Sequence, residues 1–356
     1  MVRGRLPVDF YITSIYNRCM ELPGLGKPLD KCDVVSGYLS CPDGHTKIPL
    51  KSSCQRVECP VCYHSWARKA GHRISERLRG LRSAYYHSRP REYQKLRSFR
   101  HFQFSPPQDL LPVDCTLDEA FALWRSFWQA EKPLYGGSVI FHPYRLTREA
   151  KRGLAAYVAA RAEADDEGGA LYEKGGFWAL AREDVLGLGS FQAYYEWGPH
   201  YHVIGFGYVA EKSDDFEKRT GWVYTNLRDR NSTIGIDPRT GHIIDEVEAT
   251  ARYQLTHAGV ERGASGKYRN SYRWFGICDN KHLRLVKNAR GGHVIRRVVE
   301  SVLICPVCGR ELTFETDRIT GEVVLSDHDL ELMDEYGMFS AMVRKKYRMF
   351  EVINDE

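Results

Sequence analysis

The sequence predicts an α+β protein on three observations: runs with the two-residue period of strands, helical runs set between them, and two CPVC cysteine pairs on either side of both. The chain has 356 residues, enough for two to three domains and at least one large core. Composition divides it into a cysteine-rich segment over 1–65, a basic helical segment over 66–97, a mixed region over 98–290 and a C-terminal segment over 291–356. Hydrophobic residues make up 43% and charged residues 27%, near globular averages, and no apolar run reaches the roughly 20 residues that cross a bilayer. Membrane spanning is therefore not expected. The first residues, MVRGRLPVDFYITSIYNRC, lack the apolar stretch of a secretion signal, so the expected location is the cytoplasm. In that compartment the 10 Cys stay reduced, and their CxxC spacing points to metal instead of disulfides.

The first 65 residues carry turn residues and cysteines with little periodicity, so they need an external support to fold. From Trp66, Ile74, Leu78, Leu81 and Tyr85 recur on one side of a helix that ends before Pro90, with arginines on the other side. Residues 66–100 hold 11 Lys or Arg against two Glu, although the whole chain has a net charge of only +5. A local basic face is what a phosphate backbone requires, and Arg73, Arg77 and Arg82 are the expected DNA contacts. FRHFQFS over 99–105 alternates as a strand with His101, Gln103 and Ser105 on its polar face. Thr116 and Glu119 form a capping box that opens an apolar helix through Phe121, Trp124, Phe127 and Trp128. A strand over 138–144, a helix over about 147–164 and an acidic, glycine-rich loop over 162–170 follow. GLGSFQAYYEWGPHYHVIGFGYV over 187–209 reads as a hairpin turning at Trp197-Gly198-Pro199. A further helix over about 246–258 ends at Gly259, and 267–275 is again strand-like.

His200 and His202 stand two apart on a strand, so both imidazoles face the same way with Tyr201 opposite. Two such imidazoles make half of a metal site. Glu196 shares their parity across the expected turn and is the first choice for a third ligand, with Gln192 and His142 as substitutes. Tyr253 and His257 lie i,i+4 on the later helix, and a phenol beside a base and a metal-polarised phosphate can act as a nucleophile. Cys59-Pro-Val-Cys62 and Cys305-Pro-Val-Cys308 each offer two thiolates to tetrahedral zinc. Cys41 and Cys54 are close enough in sequence to complete the first set. Cys305 and Cys308 would then recruit Cys278 or His282, or the two knuckles would share one ion. Cys19, Cys32 and Cys115 read as ordinary buried residues.

GPHYHVIGFG resembles the histidine-hydrophobic-histidine motif of the HUH endonucleases, FRHFQFSPP resembles the strand before it, and RYQLTHAG resembles their tyrosine helix. Together with Cys54 through Leu78, these runs are most similar to the rolling-circle replication initiators of archaeal plasmids and viruses. The resemblance covers about 54–276. It implies an HUH nuclease domain over 98–290 with a mainly antiparallel, ferredoxin-like sheet and flanking helices. His200 and His202 would bind Mg2+ or Mn2+, and Tyr253 would cut single-stranded DNA to leave a 5′-phosphotyrosine and a free 3′-OH. Origin DNA, single-stranded and duplex, would be the partner, with a host polymerase extending the 3′-OH. No GxxxxGK[ST] loop is present, so unwinding would come from a host helicase. Where relatives carry a lysine shortly after the tyrosine, this chain has His257. Other readings are an HUH transposase or relaxase, or a non-catalytic zinc-containing nucleic-acid-binding protein.

Overall fold

The structure, a computed structural model, describes residues 20–30, 32–45, 47–54, 56–88, 94–162, 176–230, 233–236, 243–263, 266–269, 271–280, 293–296, 299–303, 307–308, 310, 313–315, 343–347 and 351–354. It is α+β and divides by contact into two units, each assembled from three stretches of chain. The first comprises residues 1–22, 100–228 and 253–275, and the second 23–99, 229–252 and 276–356.

The first unit is organised by an antiparallel five-stranded sheet of order β6-β3-β5-β4-β9. Its strands are β3 (Phe99–Ser105), β4 (Gly136–Leu146), β5 (Tyr195–Phe206), β6 (Val223–Asp229) and β9 (Tyr272–Gly276). On one face, alternate residues Phe102, Phe104, Val139, Phe141, Tyr201 and Val203 bury against Phe121, Trp124 and Phe127 of helix α2 (Leu117–Glu131). The Tyr201 hydroxyl donates to the Ala120 carbonyl at 2.6 Å, which fixes strand against helix. The capping box at Thr116 and Glu119 starts α2, and Lys132 in the left-handed region stops it. Burying this aromatic set is the main stabilising term, at about 25 cal/mol per Å² of apolar surface.

The expected hairpin at Trp197-Gly198-Pro199 does not form; β5 runs through it as one strand of 12 residues. Its register against β4 shifts between His142 and Tyr144, opposite Pro199, so the missing proline donor falls at an irregularity of the ladder. The residues before β5 form a loop and a 3-10 turn (Phe191–Tyr194) instead of a strand. Asp184 holds that loop, accepting from the Leu188 and Gly189 N–H groups and from the Tyr194 hydroxyl at 2.7–2.9 Å. Helix α3 (Arg148–Ala162) packs Ala150 and Leu154 on Leu180, Ala181 and Tyr194, and the short helix α4 (Ser213–Thr220) adds Phe216 to the aromatic core.

In the second unit, β1 (Val35–Ser40) and β2 (Lys47–Lys51) pair antiparallel ahead of α1 (Tyr63–Ser88). Helix α1 buries Ile74, Leu78, Leu81 and Tyr85 as its spacing predicts. Its polar side meets β8 (Ile243–Asp245) and α5 (Glu246–Leu255), where Asp245 accepts from Ser75 at 2.9 Å and pairs with Arg79 at 3.2 Å. Strand β7 (Thr233–Ile236) pairs with β8. Nearer the C-terminus β10 (His293–Arg296) pairs with β14 (Glu351–Asn354), β11 (Val299–Leu303) with β13 (Val343–Tyr347), and β12 (Thr313–Glu315) with β1. Among the described residues no helix is long and apolar enough to cross a membrane.

Candidate metal and catalytic site

Strand geometry assembles the site on the sheet face opposite the aromatic core. His200 and His202 share parity on β5, and His142 on β4 lies directly across from His200 in the ladder. One ring nitrogen from each of the three falls within 4.8 Å of the others, close enough for one ion. His142, not Glu196, is the third member. Glu196 is exposed and lies opposite Arg145 beyond the shift in register, so the parity it shares with His200 does not bring it to the group.

Hydrogen bonds orient the two β5 imidazoles. His200 Nδ1 lies 2.8 Å from the Gly198 carbonyl, and a carbonyl only accepts, so Nδ1 carries the proton and Nε2 is left to ligate. His202 Nδ1 lies 2.8 Å from Nε2 of His101, which arrives from β3 on the other side of β5. His142 is fully buried with neither ring nitrogen hydrogen-bonded among the described residues. An unpaired buried imidazole costs on the order of 1–3 kcal/mol, which a metal bond would offset. Burial pushes the pKa of His142 and His200 well below the ordinary range and that of His202 down to about 3, so all three are neutral and able to ligate at neutral pH.

Arg145 is a fixed cation close enough to act on this group. It donates to the Gly198 carbonyl at 3.1 Å and to the Ser105 hydroxyl at 2.7 Å, and its field also depresses His200 and His202. Sequence spacing missed it, because the irregularity at Pro143 separates it from His142 by an unpredicted step.

His257 packs against His142 with ring centroids 4.5 Å apart and stacks on Trp178 at 5.0 Å. Tyr253 lies next to it, at 4.9 Å, with its side chain partly exposed. Helix α5 stops at Leu255, short of the expected 258, and His257 follows in a tight turn that preserves the pairing. Gly259 then donates to the Phe141 carbonyl at 2.8 Å, and a Cβ there would press on Pro143 at 3.1 Å. Burial pushes the His257 pKa well down, so the imidazole is uncharged at neutral pH. Tyr272 is a buried β9 residue and Tyr268 lies outside that strand.

The cysteines group differently from the sequence expectation. Cys32, Cys54, Cys59 and Cys62 cluster with all four sulfurs within 4.8 Å of one another, and Cys32 Sγ lies 3.6 and 3.3 Å from Cys59 and Cys62. Tetrahedral zinc–thiolate geometry sets such separations near 3.8 Å, whereas a disulfide needs about 2.05 Å. Cys32 is thus a ligand candidate instead of a filler, and Cys41 belongs elsewhere. Burial pushes the Cys32 thiol up to about 11 and raises Cys59 further. Cys115 is buried in the aromatic core as expected, and Cys278 is buried and belongs to none of the ligand groups among the described residues. Cys19, His282, Cys305 and the 163–170 part of the acidic loop lie outside the described residues.

Of the three arginines expected to contact DNA, Arg73 is exposed. Arg77 donates to the Cys278 carbonyl at 2.6 Å, so it holds the fold. Arg82 lies over the Phe99 ring at 4.2 Å and, with Arg79, Ser83 and the exposed Tyr86, lines a hollow of about 350 Å³. Comparison of the chain with family models, curated proteins and solved structures found no match.

Proposed function

We propose that the chain is a divalent-metal-dependent endonuclease and strand transferase of the HUH type, acting on single-stranded DNA to initiate rolling-circle replication. The observation that supports this most strongly is the ring-to-ring series from a partly exposed Tyr253 through His257 to the triad of His142, His200 and His202.

The three neutral imidazoles would hold the ion. When bound, it draws electron density from the scissile phosphate and stabilises developing charge. Arg145 supplies a second, permanent positive charge at that face, where burial makes electrostatic attraction strong. The Tyr253 oxygen attacks phosphorus, the new phenolic ester bond forms and the bond to the 3′-oxygen breaks. The phenolic proton passes to water and the departing 3′-oxygen gains a proton to become the 3′-OH, while His257, a weak base because it is buried, packs on the phenol and positions it. Because the phosphodiester link is exchanged and not hydrolysed, the reverse attack reseals a strand without a nucleotide cofactor.

With His142 in place of Glu196, the donor set is all nitrogen. Imidazole favours first-row transition ions over Mg2+, so Mn2+ should outperform Mg2+ at equal concentration. Incubation of the full chain with single-stranded oligonucleotides and Mn2+ should give a covalent adduct that survives denaturation and is absent from Tyr253→Phe. Oligonucleotides left uncut under every divalent ion would favour the zinc-containing binding protein. The hollow lined by Arg79, Arg82 and Tyr86, a cationic and aromatic surface suited to nucleic acid, supports that second reading.

A further inference from the structure

Outside the site described above, Cys41, Asp43, His45 and Cys308 bring one donor atom each within 4.8 Å of the others. Cys41 Sγ lies 3.5 Å from Cys308 Sγ and 3.7 Å from His45 Nδ1. Zinc bonds of about 2.3 Å to sulfur and 2.0–2.1 Å to nitrogen, at tetrahedral angles, give separations of roughly 3.8 and 3.5 Å. The local fold explains the convergence. Cys41 follows the last residue of β1, and Gly44, at φ +74, turns the chain back so that its N–H reaches the Cys41 carbonyl at 2.9 Å and His45 returns toward the sulfur. Cys308 precedes β12, which pairs with β1 through only three residues, Tyr38 with Glu315, Leu39 with Phe314 and Ser40 with Thr313. So short a pairing, between strands that lie beyond the 267-residue separation of Cys41 and Cys308, is weak unless something else closes it. Charge also balances. Two thiolates and one carboxylate around Zn2+ leave one negative charge, and Arg310 pairs with Asp43 at 2.9 Å.

We infer that Cys41, His45 and Cys308, with one Asp43 oxygen, hold a second structural zinc ion that clasps β12 onto the N-terminal ribbon of the second unit. The ion is separate from the Cys32, Cys54, Cys59 and Cys62 cluster and does not depend on the nuclease reading.

Zinc is counted in the full chain carrying His200→Ala and His202→Ala, so that the imidazole site contributes nothing. Elemental analysis after gel filtration should read two zinc ions per chain, falling to one when Cys41→Ser and Cys308→Ser are added. In that variant the amides of 313–315 should exchange with solvent at least about tenfold faster. One zinc in the parent, or no loss on removing Cys41 and Cys308, overturns the clasp. If the serine variant fails to fold, His45→Cys decides the matter in the cobalt-loaded chain. A third thiolate should raise the sulfur-to-cobalt charge-transfer absorption with the metal count unchanged, and an unaltered spectrum overturns the assignment.

Discussion

The histidine site of the first unit and the cysteine sites of the second gather ligands in different ways. His200, His202 and His142 come from two neighbouring strands, so ladder register places them, and a strand repeat of about 3.3 Å leaves little freedom. Cys32 and Cys54 join Cys59 and Cys62 from irregular chain, and Cys41 meets Cys308 across almost the whole sequence. In the first unit a packed aromatic core sets the geometry of the candidate metal site, so the sheet should persist without metal. In the second the metal would help to make the fold. Stripping metal tests that contrast: chelation should leave the first unit folded while the second loosens.

The largest expected effect is on chemistry. Tyr253→Phe and the pair His200→Ala with His202→Ala should each abolish the DNA adduct, read by denaturing gel, while thermal melting of the first unit changes little. Next is Cys59→Ser with Cys62→Ser, which removes two fully buried sulfurs of the four-cysteine cluster. Metal-coupled folding is worth on the order of 10 kcal/mol in small zinc modules, so amide exchange should show α1 and the β1–β2 ribbon opening while the sheet stays protected. Persistence of the second unit in that variant would erase the contrast.

Acid should separate the units from the other side. The buried imidazoles have pKa values held below their unfolded value of about 6.5, so the unfolded chain binds more protons and stability rises with pH through that window. Below roughly pH 6.5 the metal-free first unit should lose up to about 1.4 kcal/mol per pH unit for each such imidazole, down to about pH 3 for His202. A flat melting profile between pH 7 and 4 would mean that these imidazoles are not buried and neutral.

Smaller effects sharpen the site. Gly176, at φ +61, lies where a Cβ would come within 3.0 Å of the Tyr253 hydroxyl, so Gly176→Ala should displace that hydroxyl and, on the proposed mechanism, slow adduct formation about tenfold at unchanged metal affinity. His101→Ala removes the group that holds Nδ1 of His202 and should weaken Mn2+ binding by about 10-fold to 100-fold. Arg73→Ala should reduce the salt dependence of DNA binding by about one unit of slope, whereas Arg77→Ala should lower stability first, because its guanidinium holds the Cys278 carbonyl.

What the sequence disclosed follows the same division. Period-two alternation located β3 at 99–105 and the shared face of His200 and His202, and the Thr116 box located the start of α2, since each depends on neighbouring residues alone. His142 was visible only as a substitute. Its choice over Glu196 turns on cross-strand register and on a proline irregularity, neither of which is written locally. His101 was seen as polar but not as the partner of His202, because strand order in the sheet decides that contact. Cys32 was misread because a cysteine in irregular chain carries no period, and only closure of the loops shows which sulfurs meet.

The most direct measurement is to trap the full chain on single-stranded DNA with Mn2+, digest it and identify the modified peptide by mass spectrometry. A nucleotide carried on Tyr253 through its 5′-phosphate, lost when His142, His200 or His202 is replaced by alanine, is the predicted result. Attachment at another residue, or cutting that proceeds without any covalent link, would contradict it.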